Sequence, residues 1–119
     1  MIIFSFDQSV SKRITRFDSN FAMSRVIQTT KPAHVGCMYL EENGVIGWHQ
    51  AVTPQLLLIL QGEGLVKGAD EVYAKVSAGD AVFWEKGEWH ETKTEAGLTA
   101  IVMESEELDP GLFMSVRTD

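Results

Sequence analysis

The sequence is divided into short runs rich in apolar and β-branched residues, and Gly, Asn, Asp or Pro separates most of them. No stretch shows an apolar period of 3.6 residues long enough for a core helix, so the pattern predicts an all-β fold. Short runs at this spacing are typical of a sandwich or a barrel. The predicted strands are Ile2–Phe6, Ala22–Gln28, Val35–Leu40, Val45–Gln50, Gln55–Gln61, Gly64–Lys67, Val72–Val76, Ala81–Trp84, His90–Thr94 and Leu98–Glu104.

Two turn sequences support these boundaries. Residues 42–44 (Glu-Asn-Gly) and 61–64 (Gln-Gly-Glu-Gly) tolerate the positive φ that tight hairpins require, so we expect a hairpin at each. The 119 residues, 45% of them hydrophobic, suit one domain. We expect residues 1–119 to form it, with residues 1–34 as an N-terminal strand and arm region.

Charge is distributed unevenly along the chain. Residues 1–34 carry five basic and two acidic side chains, whereas residues 35–119 carry five basic and fifteen acidic ones. The acidic body repels phosphate backbones, and the basic stretch has no aromatic interleaving or Gly-rich loop, so we expect no nucleic-acid partner. The basic stretch is either a solvated face or a contact with the acidic body of a second subunit in a homodimer.

Membrane and redox features are sparse. The longest apolar run, Leu56 to Leu60, is far shorter than the roughly 20 residues of a membrane-spanning helix, and the start of the chain shows no basic leader. We therefore expect no membrane partner and a cytoplasmic location. The single cysteine, Cys37, cannot form an internal disulfide and is expected to be a small core residue rather than a nucleophile.

Residues 44–94 carry two motifs that resemble those of the cupin superfamily. The first family motif has two histidines separated by one residue, then a glutamate, then a glycine at a turn. Counting back from Gly62 places Gln55 at the glutamate, His49 at the first histidine and Ala51 at the second. One histidine of the first motif is therefore replaced.

The second motif runs from Gly79 to Thr94. Its second glycine is Gly87 and its histidine is His90, while Glu85 stands at the proline position and Thr94 at the asparagine position. The resemblance implies a small single-domain cupin-type β-barrel of the jelly-roll kind, and small members are commonly dimers.

The resemblance also implies a ligand pocket. In the family, three histidines and a glutamate hold Fe, Mn, Zn, Ni or Cu, and the matching positions here are His49, Gln55 and His90. The neutral oxygen of Gln55 attracts a divalent cation less than a carboxylate does, so Zn, Ni or Cu would be retained best. The alternative is a metal-free pocket in which the same residues hydrogen-bond a small ligand.

Strand alternation fills in the wall of this pocket. An inward His90 brings Thr92 and Thr94 to the same face, and an inward Gln55 brings Leu57 and Ile59. The result is a mostly apolar wall with a few polar groups, which suits a small molecule.

Three tryptophans, Trp48, Trp84 and Trp89, flank the two histidines in sequence. Indoles at a pocket mouth can stack on a sugar ring or an aromatic ligand, although packing in a core or an interface is more common. Two functions remain open. The chain is either a metal-dependent enzyme of the dioxygenase or isomerase type acting on a small polar substrate, or a metal-free binding or sensing module. No spacing supports nucleophilic catalysis.

Overall fold

A computed structural model describes residues 1–118, which form eleven β-strands and three single-turn 3-10 helices. Within these residues no helix is long and apolar enough to cross a membrane. The strands are β1 (Ile2–Ser5), β2 (Lys12–Ile14), β3 (Phe21–Met23), β4 (Ala33–Leu40), β5 (Val45–Gln50), β6 (Gln55–Lys67), β7 (Ala74–Ser77), β8 (Asp80–Trp84), β9 (Trp89–Lys93), β10 (Leu98–Ser105) and β11 (Ser115–Val116). The 3-10 helices are Gln8–Val10, Arg16–Asp18 and Pro110–Leu112.

Two antiparallel sheets share the long strand β6. The first sheet has the order β11-β1-β8-β6-β10-β4 and uses the first half of β6. The second sheet uses the other half of β6, which pairs with β7 and β9, and β9 pairs with β5. Strands β2 and β3 form a separate hairpin. The all-β prediction is confirmed, with an open sandwich in place of a fully closed barrel among the described residues.

The main core lies between the two sheets. Leu57, Ile59 and Trp84 from the first sheet meet Val66 and Val76 from the second. A second cluster, which includes Phe4, Leu56 and Met114, covers the outer face of the first sheet. Away from the β4 edge the first sheet is therefore buried on both faces, and this explains why the consecutive residues Leu56–Ile59 are all apolar.

The predicted hairpin at residues 61–64 is wrong, because β6 runs without interruption from Gln55 to Lys67. Gly62 has a φ of +82°, and a Cβ there would lie 2.2 Å from the carbonyl oxygen of Gly97. The register with β10 shifts beside it, which leaves Leu60 without a partner in β10. Glycine at this position therefore makes a bend that carries one strand from the first sheet into the second.

The turn at residues 42–44 forms, but it does not join a paired hairpin. Asn43 has a φ of 60°, and the Gly44 amide donates to the Glu41 carbonyl at 2.9 Å. On either side of this turn, β4 pairs with β10 in the first sheet and β5 pairs with β9 in the second. The turn is a crossover between sheets, and the hairpin prediction is wrong here too.

The N-terminal region also differs from the prediction. A strand was predicted over Ala22–Gln28, but the observed strand β3 covers only Phe21–Met23, which pairs with β2. Val26 and Ile27 instead pack on the outer cluster of the first sheet. These two apolar residues suggested a longer strand, but they are apolar because their side chains pack on this cluster, and they pair with no other strand among the described residues.

Candidate functional site

His49 and His90, which we call the imidazole pair, are direct partners in the β5–β9 ladder. Their ring centroids lie 4.3 Å apart, with the planes tilted by 57°. His90 is 1% exposed, whereas His49 is exposed on an edge strand. Directly opposed residues of two strands point to the same face, so the pair forms one site with a buried and an open side.

Each imidazole of the pair is oriented by a backbone carbonyl two residues earlier in the chain. The Nδ1 atom of His49 lies 2.7 Å from the Gly47 oxygen, and that of His90 lies 3.2 Å from the Glu88 oxygen. A carbonyl oxygen only accepts, so each Nδ1 carries the proton and donates. In the neutral rings this leaves both Nε2 atoms as acceptors or ligands.

The buried ring is held neutral by its surroundings. Burial lowers the pKa of His90 below its ordinary value, the hydrogen bond with the Glu88 backbone opposes this, and the neighbouring His49 lowers the pKa further. The His90 Nε2 atom is buried without a hydrogen-bond partner among the described residues. It therefore offers a lone pair to a molecule that reaches it.

Trp84 packs directly against this ring. Its indole is fully buried and stacks on His90 with the centroids 4.5 Å apart. Its Nε1–H, like the His90 Nε2, is buried without a hydrogen-bond partner in the part of the chain that the structure describes. One donor and one acceptor thus lie unsatisfied on two stacked rings.

Gln55 lies near this arrangement but does not join it by a hydrogen bond. It is 8% exposed, shares the inward face of β6 with Leu57 and Ile59, and is the ladder partner of Trp84. Within residues 1–118, no three His, Cys, Asp or Glu side chains lie together as a set that could hold a metal ion. Catalytic metal sites usually have three ligands drawn from His, Cys, Asp and Glu, and only His49 and His90 qualify here, so these residues and a neutral amide do not fit a tightly held metal.

Trp48 and Trp89 do not share the face of the imidazole pair, and a contact of either indole with a ligand stays a prediction. They lie on the outer face of the second sheet and stack on each other with centroids 5.9 Å apart. Lys67 reaches over Trp48, and the Tyr73 hydroxyl donates to Glu91 on the same surface. Successive residues of a strand point to opposite faces, so residues adjacent to a histidine in sequence are separated from its ring by the sheet.

Neither of the two described cavities is lined by His49, Gln55 or His90. The larger, of about 890 Å³, lies on the outer face of the second sheet and includes Lys75 and Lys93. The smaller, of about 440 Å³, lies along the N-terminal arm. The imidazole pair therefore lies outside both cavities and is defined by its polar atoms, some exposed and some buried without a partner. The sequence did not predict the larger cavity, because the residues that line it alternate with core residues along three strands.

Glu88 is a further residue that the sequence did not single out. Its carboxylate accepts hydrogen bonds from the amides of Ala69 and Glu85 at 3.2 and 3.1 Å and from the Met1 amino group at 2.7 Å. Burial tends to raise the pKa of Glu88, but these hydrogen bonds outweigh it and the pKa is lowered. Glu88 thereby fixes the turn before β9, whose carbonyl orients His90.

The fold matches several solved structures. An RmlC-like cupin from Shewanella frigidimarina has a TM-score of 0.59 at 19% identity, with 63% of this chain and 67% of that chain covered. A cupin superfamily protein from Desulfitobacterium hafniense has a TM-score of 0.59 at 14% identity, covering 67% and 72%. The polyketide cyclase RemF from Streptomyces resistomycificus has a TM-score of 0.57 at 21% identity, covering 66% and 57%.

At these identities the structural likeness shows the fold alone, and a comparison with curated proteins finds no match. The sequence itself matches the family model of the cupin domain over residues 36–104, which begin within β4 and end within β10. The match covers more than half of the chain and includes both motifs. The chain therefore belongs to the cupin family.

Proposed function

We propose that the protein binds a small polar molecule at the imidazole pair, without a resident metal. The observation that carries this proposal is the pair of orphaned atoms, His90 Nε2 and Trp84 Nε1. A buried polar group without a partner costs about 1–3 kcal/mol, so a site that keeps two of them favours a ligand that satisfies both.

The chemistry of these atoms defines the ligand class. His90 Nε2 accepts and Trp84 Nε1 donates, so the ligand needs a donor and an acceptor, as in a hydroxyl, carboxylic acid or amide group. His49 Nε2 adds a second acceptor on the exposed side. The apolar side chains that surround Trp84 favour a ligand whose remaining surface is apolar.

A metal-dependent enzyme of the dioxygenase or isomerase type is the second candidate. It is favoured by the hydrogen bonds from both Nδ1 atoms to backbone carbonyls, since metal-binding histidines are commonly oriented in this way. Zn, Ni or Cu would suit two imidazoles better than Fe or Mn would. The likeness in fold to a polyketide cyclase is compatible with an enzyme but selects no reaction.

Two measurements separate the candidates. Thermal stability is screened against small hydroxylated, carboxylated and amide compounds, and metal content is measured after purification without chelator. Both are repeated on the double variant His49→Ala/His90→Ala and on Val72→Ala, whose valine is exposed between β6 and β7 and serves as a control.

The outcomes are distinct. Stabilisation by a compound without added metal, lost only in the double variant, supports the first candidate. Stoichiometric metal that is lost only in the double variant supports the second. Negligible metal together with equal compound responses in all three proteins would overturn both.

A homodimer is the proposed assembly, because the basic residues 1–34 and the acidic remainder attract each other between copies. Reversing the charge of Arg13 and Arg16, both exposed, should weaken the dimer and reduce its sensitivity to salt. Unchanged mass and unchanged salt dependence in sedimentation would remove the support that charge gives to this assembly.

A further inference from the structure

Strand β4 is a free edge strand of eight residues. It pairs with β10 over all eight residues from Ala33 to Leu40 without a register shift, and it is the last strand of the first sheet among the described residues. It contains no Lys, Arg, Asp, Glu or Pro. Proteins usually protect such edges with charges, prolines or bulges, and β4 has none of these.

The side chains beside this edge are apolar and exposed. Val35 is 55% exposed and Tyr39 is 75% exposed, and Cys37 between them is exposed as well, which corrects the prediction of a core cysteine. Their ladder partners on β10 include Met103 and Ile101, both only partly buried. The free edge and this apolar face form one continuous surface, which we call the β4 surface.

Burial along the chain is strongly asymmetric. No described residue from 5 to 50 has a buried side chain. From Ala51 onward, each strand from β6 to β10 contains buried residues. The β2–β3 hairpin is part of the unburied region, and an isolated two-stranded hairpin is at best marginally stable. More than a third of the chain is thus folded without a core of its own.

A second copy of the chain fits the β4 surface better than an unrelated partner does. Antiparallel pairing of β4 with its own copy places Gly36 and Cys37, two small residues in the middle of the strand, near the twofold axis. The strand is uncharged, so this contact brings no like charges together in a protein of net charge −7. The same antiparallel orientation lets the basic arm of one copy approach the acidic body of the other.

We propose that the β4 surface is the interface of a homodimer, in which β4 pairs with β4 of a second copy. This inference extends the proposed assembly and does not depend on the ligand site. Pairing satisfies the free backbone groups of the edge and places the exposed Val35, Cys37 and Tyr39 beside side chains of the second copy.

The test compares Val35→Lys with Val72→Lys. Val72 is also exposed but lies between β6 and β7, away from the edge. Sedimentation over a dilution series should show a wild-type dimer and an unchanged Val72→Lys dimer. For Val35→Lys we expect the dimer dissociation constant to rise at least about tenfold, because a charged side chain on an edge strand opposes pairing and the lysines of the two copies lie close to one twofold axis.

Hydrogen exchange of the wild-type protein provides a measurement without a substitution. The β4 amides that face away from β10 should exchange slowly in concentrated protein and faster after dilution. A wild-type monomer at all concentrations, or equal dissociation constants for the two lysine variants, would overturn the interface. Loss of this interface would leave the response of the imidazole pair to ligands unchanged, so the two proposals fail separately.

Discussion

Replacing His90 with phenylalanine distinguishes a histidine kept for a ligand from one kept for folding. Both rings are flat, so the phenyl ring can keep the stacking on Trp84, but it is larger than imidazole, and overpacking this buried position costs about 1–3 kcal/mol. The substitution removes an orphaned acceptor, worth about 1–3 kcal/mol, and a hydrogen bond to Glu88, worth about 0.5–1.5 kcal/mol. At 3.2 Å that hydrogen bond is long, so the gain from removing the acceptor offsets most of the two losses, and we expect the free energy of unfolding to change by less than about 1 kcal/mol.

The pH dependence gives a second, independent signature. Because the pKa of His90 is lowered in the folded protein, the unfolded chain takes up the proton first as the pH falls through 6.5. The wild-type protein therefore loses stability below that pH, by at most about 1.4 kcal/mol per pH unit from this one group. The His90→Phe variant lacks this contribution, and its stability relative to the wild type should rise as the pH decreases.

Urea unfolding above and below pH 6.5 measures both effects, with Val72→Phe as the exposed control away from β4. The compounds that stabilise the wild type should no longer stabilise His90→Phe, while Val72→Phe should respond like the wild type. A loss of more than about 3 kcal/mol in His90→Phe at neutral pH would refute the reasoning, because it would exceed the cost of overpacking and show that the imidazole satisfies a structural requirement.

Two further substitutions test how the fold holds the site. Gly62→Ala should lower the free energy of unfolding by about 2–4 kcal/mol, because its φ is positive and an added Cβ would contact the Gly97 carbonyl. Gly47 has open space around it, so Gly47→Ala should change the free energy by less than about 1 kcal/mol in the same urea unfolding experiment. Equal effects would contradict the bend. Glu88→Gln should cost about 1–3 kcal/mol by placing an amide N–H against backbone donors, whereas exposed Glu95→Gln should stay within about 0.5 kcal/mol by the same assay; a neutral Glu88→Gln would show that these hydrogen bonds do not stabilise the turn.

Glycine positions show what the sequence could establish about the fold. Gly62 was assigned to a hairpin turn, Gly79 falls between two predicted strands, and both glycines have positive φ. Gly79 lies in the turn between β7 and β8, as expected, but Gly62 lies inside β6. Positive φ can be predicted from the residue type, whereas reversal or continuation of the chain depends on the pairing of β6 with β10, which is remote in sequence.

Strand alternation beside His90 was predicted well. His90, Thr92 and Thr94 are buried together on one face, as the period of two required. The tryptophans were assigned by proximity in sequence, and of the three only Trp84, on a different strand from the histidines, stacks on His90. The orphaned atoms of Trp84 and His90 could not be predicted, because hydrogen-bond satisfaction depends on all neighbours in three dimensions.

The proposed ligand site and the proposed interface both adjoin residues 41–44, which connect the two sheets. Strand β4 ends the first sheet and β5 ends the second, and residues 41–44 join them, so both free edges lie on one side of the sandwich. A second copy on the β4 surface would therefore stand beside the strand that carries His49, the exposed member of the imidazole pair. His90 lies on β9, one strand further in, and β5 and β6 of the same chain flank it on both sides. Assembly should thus alter the surroundings of His49 and leave those of His90 unchanged.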